Sequence, residues 1–289
     1  MKTNQRGVAL ISVLLVMSLA LLITGGMLRS HRLMVHSSAQ QLHQLQLRQL
    51  GFAAEAWALQ RLHNPELDEQ KTVNLAQAWA QATPAFEADD ADIRVNLEDL
   101  AGRFNLNALF NKGQVDQITL TRWSRLLAHL SIPPLDLQAL QTAGFAGSLS
   151  DLSQLRLMPQ MDAQKIRHLE PWVALLPKDA SLNINTASAQ MLMTLEGMTP
   201  AIAAAVVSQR PPQGYRSAQA FTEQPLLAGL DLSSHGLGVS SRWFRITVDV
   251  ALGKSHLRLV TEVERDLKSR QWTIQQRRLL TPLTSETSR

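Results

Sequence analysis

The 289-residue sequence predicts an α+β protein made of a long N-terminal helix, a helical block and an antiparallel sheet. Three observations predict it. An uncharged apolar run begins abruptly at Val8 and ends at Arg29; a helical hydrophobic period continues from it to about residue 63; and after Arg242 the period becomes strict alternation.

Residues 8–28 would form a helix of about 31 Å, the thickness of bilayer hydrocarbon. Two readings compete. A cleaved secretory signal would use Lys2 and Arg6 as its basic region and Thr24-Gly25-Gly26 as its small-residue site. A retained membrane anchor fits the length of the run and the helical pattern that follows it, and is favoured. Basic residues on both sides (Lys2, Arg6; Arg29, Arg32) leave the orientation open.

Beyond Arg29, Val35, Ala39, Leu42 and Leu45 form an apolar stripe that Phe52, Ala56 and Leu59 extend, while Leu47, Leu50, Ala54 and Trp57 broaden it. No proline occurs between Val8 and Pro65, and Asn64-Pro65 is the expected stop. One helix over residues 8–63 would be about 80 Å long, more than a bilayer needs, so its second half should lie on a domain.

Residues 64–92 are acidic around a short expected helix at 75–82. Asp89, Asp90 and Asp92 invite a calcium reading, but the glycine and terminal Glu of an EF-hand loop are missing, and a solvated acidic loop fits better. Ile93, Val95 and Leu97 alternate as a half-buried strand would. An internal echo follows. Arg103-Phe104-Asn105-Leu106-Asn107-Ala108 resembles Ser181-Leu182-Asn183-Ile184-Asn185-Thr186-Ala187, and in each the last Asn can cap a following helix.

Between the echoes, helices are expected at 115–130, 135–144, 149–157 and 163–169, punctuated by prolines. After the second come helices at 188–195 and 200–209 joined by Glu196-Gly197-Met198-Thr199, with Pro200 at a first helical position. Two strands follow, one alternating at Phe244, Ile246, Val248 and Val250, the next at Leu257, Leu259, Thr261 and Val263, and Trp272 and Ile274 suggest a third. Residues 281–289 read as a disordered tail.

The absence of cysteine excludes disulfides and thiolate metal sites. A net charge of +4 is too mild to argue for nucleic acid. There is no HExxH, P-loop or Gly-x-Ser-x-Gly pattern, and His129, His168, His235 and His256 read as surface or structural residues. No enzymatic activity is expected.

The order of elements is similar to the minor pseudopilin K family of the type II secretion system. The resemblance rests on Arg6-Gly7 followed by Val8-Ala9-Leu10, on residues 99–107 (DLAGRFNLN), on Leu182-Asn183-Ile184-Asn185-Thr186-Ala187, and on Val239-Ser240-Ser241-Arg242-Trp243-Phe244. It implies a long helix on an antiparallel pilin-like sheet, with an all-helical domain of helix-hairpin-helix or SAM-like type inserted between strands. The implied organisation is a prepilin leader at 1–7, the N-terminal helix at 8–63 with its span at 8–28, a first sheet portion at 64–111, the insert at 112–239 and closing strands at 240–280. It further implies that prepilin peptidase cuts between Gly7 and Val8 and that the helix stays in the inner membrane with the head in the periplasm. I and J minor pseudopilins are the implied partners. Calcium is a further implied ligand, to which acidic residues between Asp89 and Asp99 would contribute.

Most pilin-like subunits carry Glu at the fifth mature position, where it neutralises a neighbour's N-terminal amine. Here that position is Ser12, which agrees with a subunit at the tip with nothing above it, or is simply a serine in an anchor helix. A rival resemblance, to the helix-hairpin-helix of DNA-binding proteins, covers residues 182–210. There a Gly-x-Gly hairpin approaches phosphate; here Gly197-Met198-Thr199 lacks the second glycine, and residues 181–242 carry three basic and three acidic side chains, so helical packing or contact with a partner is the better reading.

Overall fold

The computed structural model describes residues 5–63, 67, 71–81, 83, 85–88, 90–111, 114–135, 148–158 and 160–280. The expected helix at 135–144 and the tail at 281–289 lie outside them or nearly so.

Helix α1 runs unbroken over Gln5–Leu62, at about 1.5 Å per residue a rod near 87 Å long. Residues 10–42 are exposed; His43, whose Nε2 is 3.2 Å from the Leu252 carbonyl, is where the helix meets the head among the described residues. From there Leu47, Ala54, Ala58 and Leu62 are buried at 0–3% exposure on the sheet. Gly51 lets the helix come this close: a Cβ there would stand 2.9 Å from Leu257 Cδ2. The stripe expected to be buried is the other one. Val35, Leu42, Leu45 and Phe52 remain 40–68% exposed, because the helix is apolar on two faces and the head covers only one.

The sheet has the order β1-β2-β9-β10-β11 and is antiparallel throughout. Its strands are β1 (Phe86–Ala88), β2 (Ala91–Asp99), β9 (Trp243–Leu252), β10 (Ser255–Arg265) and β11 (Trp272–Leu280). β2 and β9 pair along their length, Ile93 opposite Val250 and Val95 opposite Val248, although some 140 residues separate them. Phe244, Ile246, Val248 and Val250 point into the core beneath α1, where Trp79 and Trp272 meet the Phe244 ring edge-on at 4.9 and 5.4 Å. The outer face carries Arg258–Asp249 and Arg245–Glu262 cross-strand pairs.

Two local expectations change. The acidic stretch around Asp90 is a tight hairpin rather than a loop: Ala88 pairs with Ala91, and Asp90 takes φ 62°, which Asp tolerates in turns. The helix expected at 75–82 is only a 3₁₀ turn, Ala78–Ala80. Side chains have taken its donors: Gln77 Oε1 accepts from Asn74 N and Trp79 Nε1, and Asn74 Oδ1 from Ala76 N.

Between β2 and β9 lies the insert, two units of like topology around one core. The first opens with β3 (Phe104–Asn105), passes through β4 (Phe110–Asn111), β5 (Gln114–Val115), α2 (Gln117–His129) and α3 (Ala163–Leu169), and closes with β6 (Val173–Ala174), parallel to β3. The second opens with β7 (Leu182–Asn183), contains α4 (Ala189–Leu192), α5 (Pro200–Ser208) and α6 (Ala218–Thr222), and closes with β8 (Leu237–Gly238), parallel to β7. The segment expected as a helix at 149–157 is a 3₁₀ helix, Leu152–Leu157, opened by an Asp151/Gln154 capping box. Phe104, Leu106 and Phe110, assigned from sequence to the sheet portion, lie in the insert's core with Trp123, Leu169, Leu192 and Phe221.

Candidate functional site

Gly7 and Val8 lie in the first turns of α1, and Ser12 is on its exposed surface one turn further. The helix is the one element among the described residues long and apolar enough to cross a membrane, and none of its most apolar window is buried in protein. Together with Leu42, Leu45 and Phe52 it forms an apolar surface from the span to the head. Beside it, Leu50, Ala53, Trp57, Ala88 and Ile93 line an open, almost wholly apolar groove of about 510 Å³ between α1 and the β1–β2 edge. Arg61 lies over the Trp57 ring at 5.3 Å and Arg277 over Phe52 at 5.0 Å, so the exposed aromatics are ordered rather than loose.

The Asn pairs do not cap helices with their last member. In each echo the first Asn accepts from the second's backbone, Asn105 Oδ1 from Asn107 N and Asn183 Oδ1 from Asn185 N, both at 3.1 Å. The second Asn pairs with a distant backbone as a strand would. Asn107 accepts from Leu149 N at 2.7 Å and donates to Leu149 O at 3.0 Å; Asn185 does the same to Tyr215, at 2.7 and 3.1 Å. Both asparagines are buried, so each amide saves two buried backbone groups from being unpaired. Gly214 must precede Tyr215: its φ is +69° and a Cβ would meet the Asn185 amide at 2.6–2.8 Å.

The hairpin at Gly197-Met198-Thr199 turns its middle residue inward, while Gly197 and Thr199 are exposed. Gly197 takes φ +69°, Met198 is buried at 8% exposure, and Thr199 Oγ1 caps α5 by accepting from Ile202 N at 3.3 Å. The preceding Glu196 is gripped by Arg122 of α2 through two bonds, Nε–Oε1 at 3.1 Å and Nη2–Oε2 at 3.0 Å. Arg122 is only 5% exposed and also donates to the carbonyls of His235 and Ser233. The hairpin is thus flanked by a carboxylate, and one of the first N–H groups of α5, that of Ile202, is already occupied, neither of which suits a phosphate clamp.

A second junction holds the insert to the sheet. Asp99, at the end of β2, is buried and accepts from Ala101 N (2.9 Å), Asn183 Nδ2 (2.8 Å) and Thr186 Oγ1 (2.6 Å). Burial raises its carboxyl above the usual range, opposed by the hydrogen bonds from Ser241, Thr186, Asn183 and Ala101. The calcium reading finds no such gathering of ligands. Asp89 lies outside the described residues, Asp90 is exposed at the turn, Asp92 pairs with Arg94 at 3.1 Å, and Asp99 is occupied at the far end of the strand. Among the described residues no group of three acidic or histidine side chains is placed to hold a metal.

Sequence reasoning missed the Arg122–Glu196 and Asp99 junctions, which join residues with no local pattern. It also missed Glu55, 2% exposed on α1, whose carboxylate meets Arg277 of β11 at 2.8 and 3.1 Å. A signal for Glu55 exists: it is the first acidic residue in the chain.

Comparison with known proteins finds the family described as type II secretion system (T2SS), protein K, whose model matches residues 182–240. The type II secretion system protein K of Pseudomonas aeruginosa is 31% identical over 301 positions, 92% of this chain and 90% of that one. Its counterpart in Klebsiella pneumoniae is 29% identical over 88% of this chain and 91% of that one. The fold is similar to a chain in the crystal structure of the GspK-GspI-GspJ complex from enterotoxigenic Escherichia coli, with a TM-score of 0.70 at 23% identity, covering 86% of this chain and all of that one.

Proposed function

The chain belongs to the protein K family of the type II secretion system, whose members are minor pseudopilins, and from that membership we propose that it works at the tip of the pseudopilus. It initiates or caps assembly with I and J minor pseudopilins, for the export of folded proteins from the periplasm across the outer membrane. Prepilin peptidase removes residues 1–7, leaving Val8 as the mature N-terminus and Ser12 at its fifth position. The helix rests in the inner membrane, with the head in the periplasm, until it joins the other helices.

The observation that carries this reading is the pair of apolar faces on α1. One face is covered by the chain's own sheet, while Val35, Leu42 and Leu45 on the other are 53–68% exposed and run straight up from the apolar segment toward Phe52, which Arg277 partly covers. Helices of the same kind would bury that face. The insert, held at Asp99 and stiffened by Arg122–Glu196, adds bulk that hinders a further subunit above.

Action is by binding rather than catalysis. In a cleft of the insert lined by Phe104, Asp116, Arg122 and His235, polar groups serve each other: His235 pairs with Asp116 at 2.9 Å, and Asp116 Oδ1 accepts from Thr119 N. The DNA-receptor alternative is not favoured, since Thr199 and Glu196 occupy the hairpin.

Mass spectrometry of the mature protein tests the leader, with Val8 first and the helix intact as the expected result. Cleavage near Gly26, or none, sinks the assignment. Copurification with the I and J subunits tests the tip assembly, and salt-sensitive DNA binding by the purified chain would overturn the choice of partner class.

A further inference from the structure

The stem between the span and the head carries a one-sided positive charge that the fold does not use. α1 has no acidic residue before Glu55, yet directly above Leu28 it presents Arg29, Arg32 and His36. At about 100° per residue these three fall within roughly 60° of arc, the same arc that Leu47, Ala54 and Ala58 occupy higher up. Those three face the sheet. The basic face therefore looks into the space beneath the head, while the apolar Met34, Val35, Leu42 and Leu45 lie on other sides.

Arg29 and Arg32 are exposed, and neither forms an ion pair among the described residues; His36 meets only Gln40, one turn on, at 3.4 Å. If residues 8–28 fill the hydrocarbon, Arg29 and Arg32 stand about 1.5 and 6 Å above it, within a headgroup layer about 5–7 Å deep. His36 follows about 12 Å above it, beyond that layer. Arginine can bond two phosphate oxygens at once through its planar fork.

We propose that Arg29 and Arg32 form a binding site for the headgroup of an anionic phospholipid. The site fixes the depth and rotation of the resting helix, and the lipid is released when the helix leaves the membrane. A zwitterionic headgroup brings its own cation to this face, and no acidic side chain of the stem is there to receive it; a net anionic one answers the charge in full. The inference rests on residues 8–28 being the span.

The test uses the full-length chain in nanodiscs of mixed phosphatidylglycerol and phosphatidylcholine, with retained lipid read by native mass spectrometry. Phosphatidylglycerol should be retained preferentially. Arg29→Gln/Arg32→Gln should lower its affinity about thirty-fold, about five-fold per arginine. Arg48→Gln, on the same helix but about 30 Å above the hydrocarbon, should change nothing. Equal retention of the two lipids, or unchanged retention in the double variant, overturns the site. So does loss of the preference in millimolar inorganic phosphate, which would mark a simple anion site. A chain that fails to enter nanodiscs at all instead overturns the span on which the inference rests.

Discussion

Removing the Arg122 guanidinium should cost the insert more than any other single substitution on its polar groups. The side chain is 5% exposed and makes four hydrogen bonds, two to Glu196 and one each to the His235 and Ser233 carbonyls. Arg122→Met keeps most of the volume but strands two carbonyls and leaves a carboxylate that is 23% exposed with only Arg125, 4.0 Å away. Breaking a buried pair from one side costs about 3–5 kcal/mol. In a head of this size that lowers the melting midpoint by about 10 °C or more. Arg122→Met/Glu196→Gln removes the pair from both sides and should recover about half of the Arg122→Met loss, so that with the separate cost of Glu196→Gln the coupling is at least about 2 kcal/mol. The assay is thermal and urea unfolding of the wild type, both single variants and the double variant. An Arg122→Met variant within about 1 kcal/mol of wild type, or a cycle with no coupling, would refute the claim that this pair pins the hairpin to α2.

Arg277→Ala should cost about 2–3 kcal/mol by leaving Glu55 buried without its partner, and should speed hydrogen exchange in the edge strand β11; a variant with unchanged exchange there would show that the pair does not hold the edge. Asn185→Ala strands the N–H and C=O of Tyr215 and should cost about 2–4 kcal/mol by urea unfolding, whereas a loss below about 1 kcal/mol would mean that water replaces the amide. Asp99 sets a pH dependence. Its folded carboxyl is raised above the unfolded value of 3.8, so its contribution is greatest below that value and is lost as pH rises through the folded one. Unfolding of wild type and Asp99→Asn across pH 4–7 should show the wild type losing ground to the variant as pH rises, and a flat or reversed difference contradicts the assignment.

How much was legible in the residues differs by element. The three C-terminal strands fell where alternation put them, because half-buried strands must alternate. α3 and α5 were equally legible: Asp162 and Thr199 cap them, and Pro200 opens the second. The segment at 75–82 failed because Asn74 and Gln77 side chains outcompete a helix for local donors, which hydrophobic period does not register. The role of the Asn echoes was half legible. Their repetition shows in sequence, but their partners Leu149 and Tyr215 lie far along the chain and carry no mark of it.

By itself the sequence determined the apolar N-terminal segment, the continuous helix, the period of the sheet, and the family through motifs scattered along the chain. These follow from local chemistry: apolar length against bilayer thickness, the absence of proline, and alternation. Only the tertiary structure decided which face of α1 is covered. Both faces are apolar, and the choice falls to the close approach at Gly51 and to where β9 and β10 lie. It also decided that Asp99 is a junction to the insert and that the hairpin is held by Arg122. Pairings between residues so far apart depend on how the elements meet in space, which no local pattern encodes.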